Sequence, residues 1–141
     1  MSTKILIRIA AAIMLLHSFG HTFGLLTWQD PNGDIPYDVV QKMQTVQFSF
    51  MGKDGSTMAD FYSGASYCGT LLLLLIAVLL WTLSDRNDKS AIKQLWIIST
   101  AIVFLGIIEL IYFFPFAVSF CVVAAVLLFF SLFKLINQCS K

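Results

Sequence analysis

The chain has 141 residues, of which 58% are hydrophobic and only 12% charged, with a formal net charge of +1. A soluble domain carries about 25% charged residues, so a chain of mean hydropathy +0.83 turns most of its surface to lipid. The near-neutral balance gives nucleic acid no handle, and three cysteines without metal-type spacing (Cys68, Cys121 and Cys139) do not make a disulfide framework.

A bilayer span needs roughly 20 apolar residues. The first stretch that qualifies is 5–28, ILIRIAAAIMLLHSFGHTFGLLTW, and it carries His17 and His21, the only histidines. Lys4 and Arg8 before an apolar core, with Ser18-Phe19-Gly20 as a small-residue cleavage site, resemble a signal peptide. The apolar run continues to Trp28, so a retained span is expected. Asp30-Pro31-Asn32-Gly33-Asp34 is a turn cluster. The spacing of Val39, Met43, Val46 and Phe50 then predicts a short helix over about 37–51, its apolar face resting in the membrane interface as a connector or a lid. Gly52-Lys53-Asp54-Gly55 reads as a flexible turn. A second span, about 58–83, opens on a capping box, Thr57-Met58-Ala59-Asp60. The stretch 91–136 holds only three charges, Lys93 near its start, Glu109 and Lys134, and is twice too long for one helix. Pro115 is its one breaker, which predicts a tight hairpin between spans of about 91–114 and 116–136. The expected fold is an all-α membrane protein: a single domain, 1–141, forming a four-transmembrane-helix bundle with a short interfacial helix between helices 1 and 2.

The distribution of Lys and Arg sets the expected orientation. With both termini cytoplasmic, Lys4, Arg8, Arg86, Lys89, Lys93, Lys134 and Lys141 lie inside, and only Lys42 and Lys53 outside. Trp81 and Trp96 then mark the inner interface and Trp28 the outer one.

At ~1.5 Å per residue, His21 falls ~10 Å and His17 ~16 Å below the outer interface. On the same scale Tyr67 lies at ~14 Å, Glu109 at ~8 Å, and Asp60 within ~5 Å. The polar groups therefore crowd the outer half. His17, Gly20, His21 and Gly24 share a side of the first helix; Asp60, Gly64 and Tyr67 share one of the second; Glu109 and Tyr112 share one of the third. An ionisable group facing hydrocarbon costs at least ~2.5 kcal/mol, so these sides are expected to turn inward around a polar chamber. That chamber would bind a small amphipathic or lipid-like ligand. Glu109, His21 and His17 are the candidates for proton-transfer chemistry, and Asp60, Tyr67 and Tyr112 line the ligand. Alternatively, His17 and His21, at the i, i+4 spacing of a metal-gripping pair, join Glu109 or Asp60 around a single transition metal in a membrane enzyme or metal carrier. A third reading is a non-catalytic assembly partner whose polar groups only lock helices together. Asp60 is also explained as a helix cap, and Cys68 and Cys121 read as small hydrophobes. A homo-oligomer fits, since four short helices enclose little volume.

The pattern Leu16-His17-Ser18-Phe19-Gly20-His21-Thr22-Phe23-Gly24, followed by Phe50-Met51-Gly52 and Asp60-Phe61-Tyr62-Ser63-Gly64, resembles a family of small four-span bacterial inner-membrane proteins with an LHxxGHTxG signature and an FMG…DFYxG element. The resemblance covers residues 8–67 by motif and implies fold and location, not mechanism. Membrane glutathione transferases are similar in size but carry arginine-rich helices, whereas Arg8 and Lys134 here sit at span ends. Sterol-isomerase-like proteins share the intramembrane acid and histidine but neither the motifs nor the lengths.

Overall fold

The computed structural model describes residues 2–33 and 35–139. Asp34 of the expected turn, Lys141 of the charge count and the side chains of Phe50 and Cys139 lie outside the described residues. The elements in chain order are α1 (Thr3–Thr27), α2 (Tyr37–Thr45), β1 (Gln47–Phe50), β2 (Lys53–Thr57), α3 (Met58–Leu83), α4 (Lys89–Tyr112) and α5 (Pro115–Cys139). Among them α1, α3, α4 and α5 are long and apolar enough to cross a membrane. Their ends fall within three residues of the expected ones. Pro115 is the first residue of α5, where its fixed φ suits a helix start and its missing N–H costs nothing. Only Phe113 and Phe114 separate α4 from α5.

The segment after α1 differs from expectation. The helix stops at Thr45, and residues 47–57 form an antiparallel hairpin instead of a helix end and a flexible turn. Gln47-Phe48-Ser49-Phe50 alternates polar and aromatic, which suits a strand's period of two better than a helix. Met51 and Gly52 both have positive φ (47° and 84°), the backbone hand of a two-residue hairpin loop. Phe48 pairs with Ser56 and Phe50 with Lys53, so Asp54 and Gly55 together face Ser49. Gly55, at φ 72°, takes up this bulge, and the Ser49 hydroxyl donates to Asp54 Oδ1 at 2.6 Å.

The chain divides into two compact units. The first comprises Met1–His17 and Leu73–Lys141. Segments of all four long helices share its core: Ile7, Ala10, Ala11 and Met14 from α1; Leu73, Ala77, Leu80 and Leu83 from α3; Leu95 and Ile102 from α4; and Ala124, Leu128, Leu132 and Leu135 from α5. Each set falls on one helical face, at spacings built from steps of three and four residues. In lipid such a core is held by close packing rather than by expulsion of water. Buried Ser99 and Ser131 satisfy their hydroxyls on the carbonyls of Leu95 and Leu127, one turn back. At one end of this unit, Lys4 Nζ lies 2.6 Å from Asp85 and Arg8 Nη2 3.3 Å from it. The Arg8 guanidinium also covers the Trp81 ring at 4.7 Å.

The second unit is Ser18–Leu72. Its small core joins Leu25, Trp28, Val40 and Ala59, with Ile35 and Met43 against it. Val40, not Val39 or Val46, is the buried residue of α2. With the helix ending at Thr45, the 39–43–46–50 stripe does not exist as one face. Trp28 meets Tyr62 at 5.0 Å between ring centroids.

Candidate functional site

The buried stripe of α4 runs Ala91, Leu95, Ser99, Ile102, Gly106 and ends on Glu109. That of α1 runs Ile7, Ala10, Met14 and reaches His17, and that of α5 begins at Cys121. The last layer of the first unit's core is therefore polar, because these three helices each bring a heteroatom to the end of the apolar face. His17 Nε2 lies 3.1 Å from Glu109 Oε1. The Cys121 thiol donates to Glu109 Oε2 at 3.3 Å, and its sulfur stands 3.9 Å from His17 Nδ1. Residue exposures are 4% for His17, 6% for Glu109 and 1% for Cys121.

Phe120 stacks on the imidazole at 5.3 Å and 17°, and Phe116 abuts Phe120 edge-on at 5.1 Å. One face of His17 is thus sealed by aromatic rings. Gly106 permits the approach: a Cβ there would stand 3.1 Å from the Cys121 Cβ, so a side chain at 106 would push α5 away and take the thiol with it.

His21 has a different setting. In the second unit its Nδ1 lies 3.2 Å from Thr70 Oγ1, with the ring against Gly69, whose added Cβ would meet the imidazole at 3.1 Å. The Ser18 hydroxyl donates to the Thr70 carbonyl at 3.1 Å. The four-residue repeat thus serves two sites, and the expected common side is split: His17 is buried, while Gly20 and Gly24 are exposed.

Asp60 occupies the expected capping box. Its Oδ2 accepts from the Thr57 N–H at 3.0 Å and from the Thr57 hydroxyl at 2.9 Å, while its own N–H reaches Thr57 Oγ1 at 3.2 Å. Asp60, Gly64 and Tyr67 do share a side, but that side is exposed, Tyr67 by 58%. Tyr112 is 76% exposed although Glu109, three residues earlier, is buried. The two differ by about 60° around the helix axis, and that rotation carries Tyr112 off the packed face at the very end of α4.

Of the six expected site residues, the structure brings His17 and Glu109 together and adds Cys121, which the apolar run around it had disguised. A signal for it existed. Glu109 lies six residues before Pro115 and Cys121 six after, so across a tight hairpin both fall ~9 Å from the turn. Imidazole, carboxylate and thiol, with donor atoms all within 4.8 Å of one another, are together able to hold a metal ion.

Four helices long and apolar enough to cross a membrane, three of which bring His17, Glu109 and Cys121 together, mark a multi-pass membrane protein with a buried His–Glu–Cys cluster. The chain matches no protein family, no curated protein and no solved structure.

Proposed function

We propose that this is a metal-dependent membrane protein that holds one transition-metal ion of the zinc class between His17, Glu109 and Cys121 and offers it to a lipid-like substrate. The observation that carries this reading is the convergence of three different metal-ligating side chains from three helices within 4.8 Å. Donors ~2.0–2.3 Å from one tetrahedral ion stand ~3.3–3.8 Å apart. With one donor atom from each residue, the set lies within 4.8 Å and must draw in by up to about 1 Å to reach that spacing. The set keeps His17 and Glu109 of the expected ligands and takes Cys121 in place of His21.

Charge supports it too. A divalent ion with a carboxylate, a thiolate and a neutral imidazole is net neutral, which hydrocarbon tolerates far better than a residual charge. Binding displaces the thiol proton, because the thiolate is the metal ligand. Three protein donors leave a fourth position for substrate, as in catalytic zinc sites. The burial of the site and its aromatic cover favour an apolar substrate arriving from the bilayer. We further assign both termini to the cytoplasmic side of a bacterial inner membrane, on the seven-to-two bias of Lys and Arg and the resemblance noted above.

Full-length protein in a mild detergent, loaded with zinc and dialysed, is expected to retain one ion per chain. Cys121→Ser and His17→Gln are each expected to weaken retention about tenfold or more. Substoichiometric loading, or equal retention by wild type and Cys121→Ser, defeats the reading.

The 3.1 Å contact between His17 and Glu109 favours a second reading, proton exchange with a small amphipathic ligand, in which His17 rather than His21 partners the acid. Failure to load metal, together with a co-purifying small molecule that is lost in Glu109→Gln, selects that one.

A further inference from the structure

The FMG…DFYxG stretch plays no part in the metal site, yet it builds a groove within the second unit. Between the β1–β2 hairpin and the first turns of α3 lies a cavity of about 360 Å³, with Phe48, Lys53, Asp60, Phe61, Gly64 and Ala65 in its lining. The floor is open at Gly64, where an added Cβ would meet nothing within 4 Å. Phe48 and Phe61 form apolar walls. From Asp60 to Ala65 the groove descends ~7 Å along a helix able to span the membrane. Its apolar end therefore lies along the candidate span, and its other end carries one cation, Lys53, and one anion, Asp60. The carboxylate is held in place, because the capping box with Thr57 engages Oδ2 and does not use Oδ1.

We propose that this groove binds one phospholipid with a zwitterionic, primary-amine headgroup. Its phosphate pairs with Lys53, its ammonium donates to Asp60, and an acyl chain lies over Gly64 and Ala65 against Phe61. An anionic headgroup satisfies Lys53 but meets Asp60 with like charge. A quaternary amine has no N–H to give the carboxylate. Charge complementarity and the run of the groove into the span thus select this occupant.

The test uses native mass spectrometry of the full chain released from nanodiscs containing equal parts of phosphatidylethanolamine, phosphatidylglycerol and phosphatidylcholine with identical acyl chains. One phosphatidylethanolamine retained per chain is expected, favoured about tenfold over the other two, the worth of one charge-assisted hydrogen bond. Asp60→Asn, which keeps a capping side chain but removes the charge that the ammonium meets, is expected to remove that preference. Gly64→Leu, which fills the floor, is expected to remove the adduct while helical circular dichroism is unchanged. Equal retention of the three lipids, a preference for phosphatidylglycerol, or a phosphatidylethanolamine preference that survives both variants overturns the proposal.

Discussion

The first unit contains two acids that tie helices together, and they differ in what replaces their partners. Asp85, half-exposed, is shared by Lys4 and Arg8 at one end of the core. If either contact opens, water takes its place. Glu109 lies at the other end of the core's stripe, and its two oxygens are taken separately by His17 and Cys121. The site is buried, so losing a partner leaves one carboxylate oxygen with nothing to bond. The same pairing of acid and base is therefore dispensable at the surface and obligatory within the membrane. Position, not chemistry, sets the difference.

The comparison is broken most severely by removing the base. His17→Leu leaves Glu109 buried beside an apolar side chain and is expected to cost about 3–5 kcal/mol, the range for breaking a buried pair from one side. The double variant His17→Leu/Glu109→Met removes both partners and is expected to recover most of that loss. Reversible unfolding in detergent measures both. If the double variant is no more stable than the single one, then His17 acts through packing against Phe120 rather than through its bond to Glu109.

A milder break leaves all three polar groups in place but moves them apart. Gly106→Val puts a branched side chain where even a Cβ stands 3.1 Å from that of Cys121. Overpacking of this kind costs about 1–3 kcal/mol. The expected signature is loss of metal retention alongside a destabilisation smaller than that of His17→Leu. Retention equal to wild type would mean that the α4–α5 approach does not set the thiol's position. This interface also marks how far the sequence is legible. The spans, the hairpin at Pro115 and the cap at Asp60 follow from local cues: runs of apolar residues, a proline, a Thr-x-x-Asp step. The cluster needs to know which faces meet, and His17 and Cys121 are 104 residues apart. Glu109 was conspicuous because an acid in an apolar run has no local excuse, whereas a cysteine there has one. The β-hairpin was missed for a different reason. Val39, Met43, Val46 and Phe50 satisfy a helical period by coincidence, and the decisive feature, positive φ at Met51, belongs to a residue type that seldom adopts it.

Smaller again is the effect at the surface of the second unit. Thr57→Ala deletes the hydroxyl that both donates to and accepts from Asp60. It is expected to cost about 1 kcal/mol, as for other Thr caps, and to weaken phosphatidylethanolamine retention by freeing the carboxylate. Stability lost without any change in lipid retention would show that the cap does not pre-set Asp60 for the headgroup.

The smallest effect is expected at Asp85, and it should depend on pH. The hydrogen bond from the Lys4 ammonium holds its carboxyl below the ordinary carboxylate range. Partial desolvation opposes this, and the charges of Lys4 and Arg8 reinforce it. An acid whose value is lowered by folding stabilises the fold above its unfolded value, about 4, and loses that contribution as the pH falls through its lower folded value. Wild type should therefore unfold at a slightly higher temperature than Asp85→Asn at about pH 6, and the two should converge as the pH falls through that lower folded value. Asp88, paired with Arg86 at 3.0 Å, titrates in both proteins and cancels in the difference. A gap between wild type and variant that persists unchanged at low pH would mean that Asp85 contributes through its shape and hydrogen bonds rather than its charge. The contrast with Glu109 would then rest on burial of the contact alone.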